Sequence, residues 1–193
     1  ENYSFQLLAR RAARRSAFAR QEVFVSMVAH GSVYSLLRQL PLGKRVLGVV
    51  LRERTFGVAV SDEYLAHAVP LSLPTYDGMG AEWWRDLARD QNARLVLVSG
   101  EACSERQALR SCGVSITDFD AAPGLKAIVD RALERPELFK FLSQAPPGAS
   151  ISPSARLRSL RSLNELPPDL HAAVLLNEAL LGHEDGEGED SFG

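Results

Sequence analysis

The chain has 193 residues, of which 46% are hydrophobic and 24% charged, which suits one domain with a core and excludes a low-complexity or disordered chain. No apolar run approaches the roughly 18–20 residues that cross a bilayer as a helix. The net charge of −2 hides an asymmetry: residues 1–54 carry ten Lys/Arg against three acids, and the closing HEDGEGEDSFG carries five acids and no Lys or Arg, so the first quarter keeps the charge for a polyanionic partner.

Residues 4–40 follow a helical pattern. Leu7, Leu8, Ala12 and Phe18 alternate with arginines, then Val23, Phe24, Met27, Val28, Val33 and Leu37 recur near the 3.6 period, and Gly31 predicts a break into two helices. SFQLLARRAARRSAFARQ is Arg-rich, acid-free and amphipathic, which is the composition of an organellar transit peptide and equally that of a basic surface helix. The chain starts at Glu1, so the segment reads as what remains after processing upstream. The expected location is organellar, the mitochondrion first and the plastid as alternative.

The globular part is expected from Lys44. Apolar residues alternate from Val46 to Val50, a second apolar run covers Phe56 to Val60, and a polar hinge from Arg52 to Thr55 separates them, a hairpin signature. EYLAHAVPLSLP predicts a third strand whose prolines suit an edge. AEWWRDLARDQN predicts a helix, with adjacent Trp83 and Trp84 pointing about 100° apart, one toward the core and one available as an interface anchor. ARLVLVSG reads as a buried strand. SERQALRSCG is a helix opening on a Ser104-x-x-Gln107 capping box and ending at Gly113, and VSITDF is the next strand. Pro123 suits the first turn of a helix to about Leu133. ELFKFLSQ is a short amphipathic stretch, APPGASISPSARLRS a loop, and PPDLHAAVLLNEALLG a last helix stopped by Gly182. The order β-β-β-α-β-α-β-α-loop-α predicts an α/β mixed sheet covered by helices. Cys103 and Cys112 have neither metal-type spacing nor scaffold density, and read as reduced thiols.

Arg45, Val46, Leu47, Gly48 and Val49, then Gly57, Val58, Ala59, Val60, Ser61 and Asp62, match R-I-L-G-I-D-x-G-x-x-x-I-G-V-A-V-S-D. Ala68, Pro70 and Leu71 match an A-x-P-L element, LVLVSG a later strand, and DLHAAVLLNEALL a last helix of the form D-x-x-A-A plus aliphatics. In these residues the chain resembles the YqgF type of RuvC-like, RNase H-fold putative Holliday-junction resolvases. The resemblance implies an RNase H-like (RuvC-type) mixed sheet flanked by helices over residues 44–182. It leaves a basic helical N-terminal extension at 1–43 and an acidic tail at 183–193.

Such proteins hold two divalent cations about 4 Å apart against a phosphate, and hard cations require oxygen ligands. Carried onto this chain, the three acid positions fall on Val50, on Phe119 and on Asp169, and the glycine two residues after the first falls on Arg52. Asp118 takes a flanking acid's place, and a one-residue shift would bring Asp120 into the catalytic one. One acid of three cannot assemble a two-metal site, so the expectation is a pseudo-nuclease with no catalytic residue, no metal and no cofactor. Asp169 is expected to serve its helix start more than a vestigial ligand set, Asp62 a turn, and His171 solvent. His30, His67 and His183 share no ligand spacing.

The family resemblance also implies a surface suited to ribosomal RNA or branched nucleic acid. Candidate RNA contacts are Arg10, Arg11, Arg14, Arg15 and Arg20 in the extension, with Arg156, Arg158 and Arg161 in SARLRSLRSL. The expected role is a structural or assembly component of an organellar ribosome, bound to rRNA and neighbouring proteins, with no membrane span and no small-molecule substrate. The alternatives are a supernumerary subunit of a respiratory or ATP-synthase complex, and a surviving metal nuclease using Asp62, Asp118 or Asp120, and Asp169.

Overall fold

Six of the seven residues of strand β1 (Arg45–Leu51) are buried, because both faces of the strand are covered. In the computed structural model, which describes residues 33–53, 55–73, 79–100, 103–119, 124–143 and 151–185, β1 is the centre of a five-stranded sheet. Strand β2 (Phe56–Ser61) returns antiparallel, with Leu47 opposite Val60 and Val50 opposite Gly57. The turn is closed by the Arg52 amide donating to the Thr55 carbonyl at 2.8 Å. Strand β3 (Ala68–Leu71) extends the meander to one edge and carries Pro70 there, where a missing donor is tolerated. On the other side β4 (Ala93–Ser99) runs parallel to β1, and β5 (Ser115–Asp118) runs parallel to β4. The order β3-β2-β1-β4-β5 makes the mixed sheet of an RNase H-like fold.

Alternation along the strands sorts side chains into two cores. Leu47, Val49, Val58, Val96 and Val98 face α2 (Ala81–Asp90) and α3 (Cys103–Arg110) through Trp84, Ala88 and Leu109. Trp84 is buried and half-buried Trp83 stands edge-on to it at 4.8 Å, with Phe56 against both rings. Val46, Val50, Ala59, Leu95 and Leu97 face the second core, built by α1 (Val33–Arg38), α4 (Leu125–Glu134), a 3₁₀ helix Pro136–Ser143, α5 (Pro153–Arg158) and α6 (Pro168–Asp185). A second 3₁₀ turn, Leu163–Glu165, leads into α6. Every residue of α6 from His171 to Leu181 is buried, the pattern of a helix enclosed on all sides.

Two glycines of the hairpin seat this helix. A Cβ on Gly48 would lie 3.0 Å from Leu176 Cβ and 3.2 Å from the Ala172 carbonyl oxygen, and one on Gly57 would collide with the Pro168–Asp169 peptide. The Gly-rich spacing of the hairpin therefore carries a packing requirement as well as a turn.

Three expectations are corrected. The extension does not end at 43: Leu37 of α1 is 1% exposed in the second core, so the globular unit includes that helix. SISPSARLRS is not a loop throughout, because Ser152 caps α5 by accepting from the Ala155 amide at 3.2 Å, Pro153 opens the helix and Leu157 fills the core. Gly182 does not stop the last helix, which continues to Asp185 and moves the tail boundary past 183. The glycine is there for space, since a Cβ would meet the Tyr34 ring at 2.6 Å. Gly31, Pro123 and the tail beyond Asp185 lie outside the described residues, as does the Ser104 side chain of the capping box.

Candidate functional site

Parallel strands that end together leave a crevice outside their carboxyl ends, the usual ligand position in such sheets. Here β1 ends at Leu51, β4 at Ser99 and β5 at Asp118, with Val50 level with Ser99 and Val98 level with Asp118. The N-terminus of α6 closes the same end, against Gly57.

The crevice is apolar. Val50 is 4% exposed and shares it with Leu97, Phe119, Ala172 and Leu175, while half-buried Ser99 is its polar member. Phe119 is also buried, and its amide donates to the Val98 carbonyl at 2.8 Å, which turns the chain over the end of β4. Asp169 lies half-buried in the first turn of α6, one residue inside the helix, where an acid is favoured by the dipole. Two of the three carried-over positions thus present hydrocarbon, and this donor set does not fit a pair of divalent cations.

The other acids are spent elsewhere. Asp118 is ion-paired with Arg106 Nη1 at 2.6 Å, and Arg106 Nη2 donates to the Gly100 carbonyl at 2.6 Å. Asp62 organises the β2–β3 turn, accepting from the Ala66 amide at 2.8 Å and lying 3.2 Å from His67 Nδ1. It follows Val60, which pairs with Leu47, by two residues, so it stands about 16 Å along the sheet from Val50. Asp62 therefore cannot join Asp118 and Asp169 in one site, which corrects the rearranged set. Asp120 lies outside the described residues. Among the described residues no three His, Cys, Asp or Glu side chains come together as a metal site, and no helix is long and apolar enough to cross a membrane.

The residue sequence reasoning misplaced is His171. It is 8% exposed, and Arg52 Nη2 lies 3.2 Å from its Nδ1 while also donating to the Leu166 carbonyl at 3.0 Å. A guanidinium only donates, so Nδ1 is the acceptor and the ring is neutral. Burial, then the Arg52 charge, pulls its pKa down to about 4. The signal was the apolar run of residues 172–176 directly after it, which favours a buried imidazole.

Arg10, Arg11, Arg14, Arg15 and Arg20 lie outside the described residues. Arg158 and Arg161 are exposed near the end of α5. Arg156 is half-buried, and its Nη1 donates to the Leu142 carbonyl at 2.9 Å, which ties α5 to the 3₁₀ helix. Cys112 is a buried free thiol whose pKa burial pushes up.

No protein-family model and no curated protein sequence matches the chain. Among solved structures, Thermus thermophilus RuvC in complex with a Holliday-junction substrate is similar at 13% identity and a TM-score of 0.35, covering 75% of this chain and 96% of that one. A K428A mutant nuclease domain of the large terminase subunit gp2 of bacterial virus Sf6, with manganese, is similar at 15% identity and a TM-score of 0.38, covering 77% of this chain and 92% of that one. The assignment to an RNase H-like fold rests on the chain's own strand order and register.

Proposed function

We propose that the chain is a degenerate YqgF-type protein that cleaves nothing and acts as a structural or assembly component of an organellar ribosome, mitochondrial in the first instance. It binds ribosomal RNA and neighbouring proteins. The observation that carries this reading is the hydrocarbon closure of the sheet's carboxyl end, where Val50 and Phe119 fill the space that acids would need. A fold that has exchanged metal ligands for core packing retains its surface, and on this chain the first 54 residues concentrate positive charge.

The test is the sedimentation of the endogenous protein in an organellar lysate with and without ribonuclease. Co-migration with ribosomal particles, lost on ribonuclease treatment, is the expected result. Migration with a ribonuclease-resistant complex overturns the ribosomal assignment. Cleavage of junction or single-stranded substrates by purified protein with Mg²⁺ or Mn²⁺ overturns the non-catalytic one.

A further inference from the structure

Two guanidiniums stand at the carboxyl end of the sheet, and in each the Nε atom is buried without a hydrogen-bond partner. They differ in charge balance. Arg106 is neutralised by Asp118 at 2.6 Å. Arg52 has no carboxylate within ion-pair distance among the described residues; its Nη2 is held by a neutral carbonyl and a neutral imidazole. Its pKa is lowered by burial alone, with no carboxylate opposing the shift. A half-buried cation without a counter-charge is destabilising, and an oxyanion is the ligand that relieves it.

The surroundings select that ligand further. Arg52 follows directly on β1, outside the carboxyl ends of the parallel strands, and its neighbour His171 sits in the first turns of the 18-residue helix α6. The Leu166 carbonyl and His171 Nδ1 hold Nη2 and Nε is buried, so Nη1 is the nitrogen left for a ligand and is presented in one orientation. A pre-oriented donor that carries an uncompensated positive charge suits a phosphate oxygen.

We infer that Arg52, clamped by Leu166 and His171, is a phosphate-binding residue, and that the phosphate belongs to an RNA backbone. The phosphate chemistry stands on this geometry, and RNA as its source rests on the function proposed above.

Full-length protein and its Arg52→Gln and Arg52→Lys variants are titrated with a ribosomal RNA transcript across a salt series. Inorganic phosphate is added in a parallel thermal-shift series. Arg52→Gln is expected to raise Kd about tenfold at low salt and to reduce the salt slope by about 0.7–0.9, the share of one phosphate, while Arg52→Lys keeps the slope. Wild-type affinity and slope in a folded Arg52→Gln overturn the inference and leave the ribosomal reading standing. If the wild-type protein binds no RNA, that reading fails instead. Phosphate-dependent stabilisation lost in Arg52→Gln then upholds the site, and its absence overturns it. Should Arg52→Gln not fold, the Arg52 Nε–H resonance of the wild-type protein decides. It is expected to shift on addition of RNA or phosphate, and a silent resonance overturns the inference.

Discussion

The carboxamide of Asn177 hydrogen-bonds both backbone groups of Ala68, accepting from its amide at 2.7 Å and donating to its carbonyl at 3.1 Å. The same nitrogen donates to the Leu138 carbonyl at 3.1 Å. One buried side chain on α6 thus stitches edge strand β3 and the 3₁₀ helix to the centre of the fold. Asn177→Leu removes all three bonds and strands buried backbone groups, at about 2–4 kcal/mol. Denaturant unfolding should show that loss, and amide exchange should accelerate at Ala68–Leu71 before it does in β1. Unchanged exchange at the edge would mean β3 is held by its ladder to β2 alone.

Val50→Asp places a carboxylate into the apolar crevice between Leu97, Phe119 and Leu175. Arg52, two residues on, has its Nη2 already engaged by Leu166 and His171. An unpaired buried carboxylate costs several kcal/mol, about 3–5 where a partner is lacking. The expected outcome is a destabilised or unfolded variant without nuclease activity. A folded Val50→Asp that cleaves nucleic acid with Mg²⁺ would show that the remaining ligands are in place after all.

Much of the sheet is legible in the sequence because strand periodicity and burial coincide. Val46–Val50 and Phe56–Val60 are apolar in runs that suit a central pair covered on both faces, and the quoted glycines mark where α6 approaches. What escapes the sequence are features set by distant partners. Gly182 looks like a helix stop, yet it is retained for the Tyr34 ring, nearly 150 residues earlier in the chain. His171 is misplaced because a histidine's exposure depends on whether a donor waits for it, and Arg52 is remote in sequence. Ser152-Pro153 carries a helix-start signal that the surrounding Pro, Gly and Ser obscure. At the site, a valine and an arginine at positions 50 and 52 are plain in the sequence, but their roles as core and clamp are not.

His171 also sets an acid limb. Its folded-state pKa of about 4 lies below the ordinary 6.5, so the unfolded chain binds more protons between these values. Stability therefore rises with pH across the window from about 4 to 6.5 and is lost as pH falls through it, by up to about 3 kcal/mol. Glu178 works in the opposite direction. Burial raises its pKa, against a smaller pull from Arg131, so its contribution declines as pH rises above the ordinary carboxylate range. Denaturant unfolding from pH 4 to 7 should show His171→Gln with a flatter profile than the wild type and Glu178→Gln with a steeper one. An unaltered profile in His171→Gln would assign the acid limb to other groups.

The basic segment gives the widest separation between readings. If Arg10, Arg11, Arg14 and Arg15 lie along RNA, each neutralised phosphate releases about one counterion, and affinity falls steeply with salt. Replacing all four with Gln should flatten the salt slope by about three units and weaken rRNA binding by orders of magnitude at moderate ionic strength. The melting temperature should stay nearly constant, because the described core begins with α1 at Val33. The effect should also add to that of Arg52→Gln, since contacts distant in the chain are independent if both meet the same RNA. A respiratory or ATP-synthase subunit would behave differently, with little RNA affinity to lose and particle incorporation failing instead through Leu7, Leu8 and Phe18. A quadruple variant that binds RNA with an unaltered slope removes the arm from the interface. The ribosomal reading would then rest on the globular surface alone, on Arg158, Arg161 and the Arg52 site.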